Sequence, residues 1–445
     1  MDYSKMTAAA LGRAIADGKA DPMEITGHFL DRINTHSRAD EIYARLTAER
    51  AIAEAKAASV RAREGRLSGP LDGVPVSWKD LFDTKGVATE SGTPLLKGRV
   101  PDRDAGVLAA AGAAGTVCLG KTHQTEFAFS GLGINPNTAT PPNRLMPGHA
   151  PGGSSSGAAA AITHGLAPVA IGSDTGGSVR IPACWNSLVG MKTTHGLLPL
   201  EGAVPLCAGF DTAGPIARTV EDAALMTAAL GGPETPDNGL PAASDLRFAV
   251  VDGPPMEECD DQVLQAFGSA VQRLESAGAV INRIEPSAAL QKALSLGAIL
   301  FPFEAWQQWG DLIEANPGVM YPPVESRFRQ GASVSREHYD AAWLSLGEIR
   351  SAFFTEHAGY DGFLLPTIPI LPPRVDELLG NDERFTSVNL LALRNTRFVN
   401  LLGSCALNLP VPEPCIGLQI MGHPMGDARL LQIGFAVEQA VKDGA

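Results

Sequence analysis

Apolar residues recur along this chain with two different spacings, and the spacing predicts where helices and strands lie. From Thr7 to about Glu64 the apolar positions, such as Leu11 and Ile15, are three or four residues apart, which is typical of amphipathic helices. From residue 69 onwards, short apolar runs bounded by glycine and proline alternate with longer helix-forming segments. Such short runs are typical of strands that are buried on both faces. The pattern predicts a group of N-terminal helices followed by alternating strands and helices.

The elements predicted after residue 69 cover most of the chain. Strands are predicted at 73–80, 116–119, 168–171, 248–251, 280–284, 362–365, 406–409 and 416–421, with further short strands within 196–211. Helices are predicted at 102–114, 158–162, 219–230, 262–277, 287–314, 336–357, 387–402 and 428–441. Because strands alternate with helices, we expect an α/β fold, an α/β/α sandwich whose large mixed, largely parallel central sheet is covered by helices on both faces.

The chain is predicted to form a single domain over residues 1–445, although its length would also allow two or three. We divide it into N-terminal helices at 1–68, a core that carries the candidate chemistry at 69–230, and a C-terminal part at 245–445. The glycine- and proline-rich stretch 231–244 is the best candidate for a linker. Within the C-terminal part, the long helices at about 287–357 form a divergent helical segment.

Composition narrows the functional classes. Hydrophobic residues make up 44% of the chain and charged residues 19%, which is typical of a globular protein. The net charge of −14 disfavours direct binding to nucleic acid. The six cysteines form no Cys-x-x-Cys pair, so buried thiols are expected rather than a zinc site. No signal peptide and no apolar run long enough to cross a bilayer is found, so we expect a cytoplasmic protein that does not bind membranes.

Two serine clusters, each containing a glycine pair, carry the candidate chemistry. The first is Pro-Gly-Gly-Ser-Ser-Ser-Gly at 151–157, and the second is Gly-Ser-Asp-Thr-Gly-Gly-Ser-Val-Arg at 172–180. Glycine permits unusual backbone conformations and leaves consecutive N–H groups free to bind an oxyanion. Ser178 follows such a stretch and is a candidate nucleophile. A tightly packed turn-helix-turn without chemistry would also suit these residues.

A serine hydroxyl needs a base to become nucleophilic, and Lys79 is the candidate base. It ends the predicted strand 73–80, directly after Trp78. A lysine at a strand end is usually a solvated surface charge, but this apolar context favours burial. Burial shifts a lysine towards its neutral, basic form. A second hydroxyl can relay the proton between the nucleophile and such a lysine.

Two other motifs in the chain suggest different chemistry. Gly115-x-x-x-x-Gly120-Lys121-Thr122 matches the spacing of a phosphate-binding P-loop. The predicted strand falls between its two glycines, however, so we interpret the match as accidental. The segment 153–157 fits the Gly-x-Ser-x-Gly nucleophile elbow, with Ser155 as nucleophile. That motif requires a strand immediately before it and a partner histidine, and the sequence indicates neither.

Residues 152–183 resemble the signature stretch of the amidase signature family, and Gly73-Val-Pro-Val-Ser-Trp-Lys79-Asp80 resembles its lysine motif. Ser154 lies 75 positions after Lys79, and Ser178 lies 24 positions after Ser154. These separations are similar to the family's spacing. Further likeness is found at 120–129, 210–215 and 417–422, and it is weakest in 232–360. The resemblance covers most of the chain.

The resemblance implies roles for named residues. It implies Ser178 as acyl-ester nucleophile, Ser154 as bridging hydroxyl after a cis peptide bond with Gly153, and Lys79 as base. It also implies an oxyanion hole and a set of supporting hydrogen bonds, and it requires no metal or organic cofactor. The oxyanion hole would use Thr175, Gly176 and Gly177, and the supporting residues would be Ser155, Asp174 and Arg180. His123 and His149 match no catalytic position and are expected to be structural or to line the pocket.

The implied activity is hydrolysis of a small-molecule carboxamide, with the pocket built from 123–135 and 300–345. Amide, urea-like and carbamate substrates all remain open, and a homodimer is one candidate assembly. One alternative is the glutamine-hydrolysing A component of a tRNA-dependent amidotransferase, which resembles the chain at the same motifs and works with a partner protein. The other alternative is a catalytically silent binding protein that keeps the fold.

Overall fold

One eleven-stranded sheet organises the molecule in this computed structural model, which describes residues 2–236, 239–285 and 288–442. The strands are β1 (Tyr43–Leu46), β2 (Pro75–Lys79), β3 (Val117–Thr122), β4 (Val169–Ser173), β5 (Val189–Lys192), β6 (Ala213–Ala217), β7 (Arg247–Val251), β8 (Val280–Ile284), β9 (Gly362–Pro366), β10 (Ala406–Pro410) and β11 (Gly417–Met421). Their order across the sheet is β1-β3-β2-β4-β6-β5-β10-β11-β9-β7-β8.

Fourteen α-helices within the described residues pack around this sheet. They are α1 (Ala8–Ala16), α2 (Pro22–Thr35), α3 (Ala39–Ile42), α4 (Ala48–Arg63), α5 (Gly106–Ala113), α6 (Ser156–Thr163), α7 (Arg180–Trp185), α8 (Val220–Ala229), α9 (Asp261–Ser276), α10 (Ala288–Glu314), α11 (Pro322–Arg329), α12 (Arg336–Glu356), α13 (Asp382–Leu401) and α14 (Asp427–Lys442). No helix in the described part of the chain is both long enough and apolar enough to cross a bilayer.

The predicted α/β fold with a mixed sheet is confirmed, but the prediction that the sheet is largely parallel is wrong. Among the described strands, four of the ten pairings are parallel: β2 with β3 and β4, and β7 with β8 and β9. The other six are antiparallel. The apolar pattern of a strand shows that it is buried, but it does not show which strand lies beside it or in which direction that neighbour runs.

Internal strands of the sheet are covered on both faces. Every residue of β2, β3 and β4 is buried. Since successive side chains of a strand point to opposite faces, complete burial requires a layer on each side. The edge strand β8 is different, because its residues are exposed or half-buried. The predicted two-sided cover therefore holds for β2, β3 and β4, near which the candidate site lies.

The sequence prediction missed several elements. The region 7–64 was predicted to be helical throughout, yet it contains β1, which pairs antiparallel with β3 at the edge of the sheet. The predicted short strands within 196–211 are wrong: that segment has no strand, and its one ladder contact is an isolated bridge between Phe82 and Ala203. The strands β5 and β6 lie on either side of it. They are short, and their partners are distant in sequence, so local periodicity gives little sign of them.

The proposed linker at 231–244 joins two parts of one sheet. Residues 237–238 of this stretch lie outside the described residues. Strand β5, which precedes it, pairs with β10, which follows it, so hydrogen bonds connect the two parts directly. This continuity is what the single-domain prediction requires.

Candidate active site

Lys79 is the last residue of β2, and its side chain is completely buried. Its Nζ donates hydrogen bonds to Oγ of Ser154 at 2.6 Å and to Oγ of Ser173 at 2.8 Å. Burial lowers the pKa of Lys79 to about 7, although the charges of Asp174 and Asp211 act in the opposite direction. A large fraction of Lys79 is therefore neutral at physiological pH and able to accept a proton.

The sheet explains why Lys79 meets these hydroxyls. Strands β2 and β4 are parallel neighbours, with Trp78 paired to Ile171. Their carboxyl ends therefore lie side by side, so that Lys79 and Ser173 emerge at the same edge. Ser154 arrives from the loop before α6, and its peptide bond with Gly153 is cis, as the resemblance implied.

The three consecutive serines of the first cluster have three different environments. All three are completely buried. Oγ of Ser154 accepts from Lys79, and Oγ of Ser155 lies 3.3 Å from both the N and the O of Ser173. The hydroxyl of Ser156 has no hydrogen-bond partner among the residues that the structure describes. Of these three serines, only Ser154 contacts the lysine.

Ser178 lies on the loop between β4 and α7 and is 4% exposed. Its carbonyl accepts a hydrogen bond from the amide of Ser155 at 3.3 Å, which joins the two serine clusters. Within the described residues its hydroxyl donates to no protein group, and Ser178 lines a narrow cavity of about 20 Å³. The nucleophile candidate thus lines a cavity and has no protein acceptor among the described residues. The structure brings Lys79 and Ser154 into contact and places Ser178 in the adjoining loop.

The predicted oxyanion residues form the turn before Ser178. The amides of Thr175, Gly176 and Ser178 have no protein acceptor in the described part of the chain, whereas the amide of Gly177 already donates to Oδ1 of Asp174 at 2.8 Å. Gly177 has φ +137°, and a Cβ there would collide with Oγ1 of a threonine on α13. Glycine is therefore required at 177 by the backbone conformation and by close packing.

Asp174 and Arg180, both predicted as supporting residues, form a buried ion pair across this turn. The Arg180 guanidinium donates two hydrogen bonds to the Asp174 carboxylate at 3.0 and 2.9 Å, and a third to Oε1 of Gln419 at 2.7 Å. Asn400 donates to Asp174 as well, at 2.9 Å. Burial alone would raise the pKa of Asp174, but Arg180 outweighs it and holds the pKa at about 2. The pair fixes the loop to β11 and α13.

Asp211 is a site residue that the sequence reasoning did not single out. Its carboxylate accepts from the Thr175 hydroxyl at 2.5 Å and from the amides of Leu206 and Cys207 at 2.8 and 3.0 Å. Burial raises the pKa of Asp211 to about 6, although these hydrogen bonds act against the rise. Ser173 was missed as well. Its position at the carboxyl end of a buried strand, next to Asp174, was the only available signal.

Two cavities flank the oxyanion turn, and they share Ala128, Thr175 and Leu206. The narrow one contains Ser178 and is completed by residues from both segments predicted to form the pocket, and by α13, which was not predicted. These lining residues are Phe129, Ser130, Phe301, Arg327, Leu393 and Arg397. The second cavity, of about 230 Å³, is mostly apolar and contains Ser173 and Asp211.

His123 and His149 line neither of these cavities. Nε2 of His123 lies 3.1 Å from the carbonyl of Asp40, and Nδ1 of His149 lies 3.2 Å from the carbonyl of Pro147. No histidine side chain forms a hydrogen bond with a serine hydroxyl anywhere in the described ranges. Together with the lack of a strand directly before Ser155, this rules against the nucleophile-elbow interpretation.

The P-loop match is accidental, as interpreted from the sequence. Its lysine, Lys121, lies within β3, where Nζ donates to the carbonyl of Phe82 and the hydroxyl of Thr89, both at 2.6 Å. No helix opens after Thr122, so no phosphate cradle is formed. The described residues also contain no group of three or more His, Cys, Asp and Glu side chains arranged to hold a metal ion.

Comparisons with known proteins match this chain over most of its length and match its architecture. The family model described as Amidase matches residues 24–431. The chain is 36% identical over 415 residues to 2-amino-5-chloromuconic acid deaminase of Comamonas testosteroni, covering 89% of this chain and 87% of the relative. It is 32% identical to the A component of glutamyl-tRNA(Gln) amidotransferase from Thermobifida fusca, covering 99% and 96%. A crystal structure of an amidase superposes with a TM-score of 0.88 at 29% identity, over 98% of this chain and 100% of that one.

Proposed function

The chain belongs to the amidase family and is a hydrolase that acts on carbon–nitrogen bonds, and we propose that it cleaves its amide through an acyl-enzyme on Ser178. In this mechanism Ser154 relays protons between Ser178 and Lys79. The observation that carries the proposal is the buried contact of 2.6 Å between Nζ of Lys79 and Oγ of Ser154, with a lysine pKa of about 7. A neutral amine touching a hydroxyl is the base that serine activation needs.

In the first half-reaction, Oγ of Ser178 attacks the amide carbonyl carbon. Its proton passes to Oγ of Ser154, and the Ser154 proton passes to the neutral Nζ of Lys79. The carbonyl oxygen becomes an oxyanion that the free amides of the 175–178 turn stabilise. The carbon–nitrogen bond then breaks, and the leaving amine takes a proton back along the same path. Ser178 is left as an acyl ester.

In the second half-reaction, water replaces the amine. Lys79 and Ser154 remove a proton from the water, which attacks the ester carbonyl, and Ser178 leaves with its proton restored. The products are a carboxylic acid and an amine or ammonia. The residues in this chain supply every proton transfer, so we propose that no metal or organic cofactor takes part.

We propose a small-molecule amide as substrate, because the site lies in confined cavities and because one relative is named for its action on 2-amino-5-chloromuconic acid. The acidic net charge of −14 supports a protein that does not bind nucleic acid directly. We further propose that the protein is cytoplasmic, does not associate with membranes and forms a homodimer.

The match to the A component of a glutamyl-tRNA(Gln) amidotransferase over 99% of this chain supports a second candidate, a glutaminase that works within a complex. Under that hypothesis the chain would hydrolyse glutamine only in the presence of a partner protein. Release of ammonia from glutamine by the isolated chain, compared with release after addition of the other components of such a complex, separates the two candidates.

The nucleophile assignment is tested by a fluorophosphonate probe followed by mass spectrometry. We expect the label on Ser178, and we expect Ser178→Ala to lose the label and to lower amide hydrolysis by about 10⁴-fold or more. A Ser156→Ala variant is the matched control, because the Ser156 hydroxyl is equally buried but has no partner in the described residues. Full hydrolysis by Ser178→Ala would refute the acyl-enzyme, and an unlabelled Ser178 without any hydrolysis would support a silent binding protein.

A further inference from the structure

Two arginines without a carboxylate partner line the narrow cavity that contains Ser178. Arg327, on α11, is 7% exposed, and its only hydrogen bond to a described residue goes from Nη1 to the carbonyl of Phe129. Arg397, on α13, donates no hydrogen bond to any residue that the structure describes, and its guanidinium lies 5.3 Å from the centre of the Phe301 ring. Buried charges are normally paired, because an unpaired one is costly to desolvate.

Other buried or half-buried arginines in the described chain have the partners that Arg327 and Arg397 lack. Arg180 pairs with Asp174, and Arg61 pairs with Asp72. Arg218, which has no carboxylate partner, instead donates three hydrogen bonds to backbone carbonyls. Burial, aided by the nearby charge of Arg397, lowers the pKa of Arg327 to about 9, so the side chain is still protonated at neutral pH. The cavity therefore holds two cations to which no described residue supplies a carboxylate partner.

These cations lie beside the reacting groups. A methyl group in place of the Gly176 hydrogen would lie 3.9 Å from Nε of Arg397, which puts that guanidinium against the oxyanion turn. None of the described lining residues of this cavity is acidic. Resting on the proposed amide hydrolysis, we infer that the cavity binds a carboxylate carried by the acyl part of the substrate, so that the substrates are monoamides of short dicarboxylic acids.

The two cavities decide which part of the substrate carries the carboxylate. The leaving amine takes its proton from the Lys79 relay, and Ser173, which contacts Lys79, lines the second cavity. Lys79 and Ser154 line neither cavity, and Ser173 lines the second cavity but not the arginine cavity. The amine therefore leaves towards the second cavity, and the acyl chain points towards the arginines. In this structure the cavity has room for about one water molecule, so the side chains around it must move to admit the acyl chain, and a chain of few carbons requires the least movement.

The same charges disfavour glutamine, although glutamine also carries a carboxylate. Its α-ammonium group would lie among two guanidinium groups with no acidic side chain in the lining. Glutaramate is glutamine without that ammonium group. The comparison of these two amides consequently separates the inferred substrate class from the glutaminase candidate.

The test measures ammonia release by the purified full chain with succinamate, glutaramate, glutamine and butyramide, which has a methyl group where succinamate has its carboxylate. We expect kcat/KM for succinamate or glutaramate to exceed that for butyramide by about 100-fold or more, and glutaramate to exceed glutamine. Equal rates for charged and neutral amides, together with a fluorophosphonate-labelled Ser178, would overturn this inference while leaving the proposed function intact. Failure of both labelling and hydrolysis would overturn both.

Variants test whether the arginines cause the preference for amides that carry a carboxylate. Arg397→Met is expected to raise KM for the carboxylate amide and lower its kcat/KM by about 100-fold, a loss about tenfold or more larger than the loss for butyramide. Arg394→Met, one turn earlier on α13 and outside the cavity, is the matched control and should keep the preference. Equal losses for both amides in Arg397→Met would overturn the inference, because the arginine would then act on the reaction rather than on the carboxylate.

Binding gives a readout that does not depend on turnover. Succinate and glutarate, the acids released from the two charged amides, should raise the melting temperature of the wild-type chain and of Arg394→Met, but not that of Arg397→Met or Arg327→Met. Sulfate at the same ionic strength controls for unspecific anion effects. Absence of any shift in the wild-type chain would contradict a carboxylate subsite.

Discussion

Lys79 and Lys121 lie at the carboxyl ends of neighbouring parallel strands, β2 and β3, and both side chains are completely buried. Burial lowers their pKa values to about 7 and about 8. Their partners differ. Nζ of Lys121 faces a backbone carbonyl and a threonine hydroxyl, with the Asp80 carboxylate at 3.4 Å. Nζ of Lys79 faces two serine hydroxyls, and one of them adjoins the candidate nucleophile.

The difference shows that burial alone does not make a lysine a catalytic base. A carbonyl or a carboxylate accepts hydrogen bonds from an ammonium group but has no proton to give it, and the Thr89 hydroxyl donates its own proton to the carbonyl of Val87 at 3.5 Å. Lys121 therefore serves to join β3 to the segment that follows β2. We propose that Lys79 accepts a proton from Ser154, because that partner is a hydroxyl next to the loop of the candidate nucleophile, and Lys121 has no such contact.

Of the two buried lysines, Lys79 should give the larger effect on activity when it is replaced, as in Lys79→Met. Loss of the base should lower kcat for amide hydrolysis by about 10³-fold or more, because Ser154 then has nowhere to pass its proton. Replacement of a buried amine by an apolar side chain of similar length should leave the chain folded. Ammonia release and the circular dichroism spectrum measure the two effects, and an undiminished rate at neutral pH would disprove the role of Lys79.

Lys121→Met should mainly lower the stability of the fold and have a smaller effect on the rate of amide hydrolysis. We expect the free energy of unfolding to fall by roughly 2–4 kcal/mol, because the Phe82 carbonyl and the Asp80 carboxylate lose a buried donor. The rate of the remaining folded enzyme should stay within about tenfold of wild type. Urea denaturation gives the stability, and a folded variant without activity would contradict the structural role.

The pH dependence of kcat/KM distinguishes the proposed role of Lys79 from that of Lys121. Below its pKa of about 7 Lys79 is protonated and cannot act as base, so kcat/KM should fall by about tenfold per pH unit below 7 and level off above about pH 8. Lys121→Met should keep this profile. A limb centred near pH 6 would instead match the carboxyl of Asp211, whose pKa burial raises to about 6, and would contradict the assignment to Lys79.

The smallest effects on stability and rate are expected from replacing Ser155 and Ser156, the two serines that follow Ser154. Ser155→Ala removes the hydroxyl between α6 and β4, and it should cost about 1 kcal/mol of stability with a modest loss of rate. Ser156→Ala removes a hydroxyl without a partner in the described residues and should change stability by less than about 0.5 kcal/mol. Thermal unfolding and ammonia release rank the two, and a larger loss in Ser156→Ala would reverse our interpretation of the cluster.

The candidate site was more predictable than the sheet around it. Lys79, Ser154 and Ser178 were identified from glycine pairs, an apolar strand and a resemblance, and all of these signals are local. Asp211, Arg327 and Arg397 were not singled out, although 210–215 was noted for its likeness and 300–345 as part of the pocket, because only folding brings these distant residues to the site. The strand β1 and the antiparallel pairings were missed for the same reason, since a neighbour in the sheet is not a neighbour in the sequence.

By itself, the sequence determined the alternation of strands and helices, the glycine-rich turns and the family, because each depends on residue type and spacing. Only the tertiary structure decided which buried lysine faces the serine hydroxyls, which glycine amide is already occupied and which arginines lack a carboxylate. Those properties depend on what lies across the sheet or across the cavity from a side chain. Folding sets those distances, and they in turn set the local charge and the exclusion of water on which the chemistry depends.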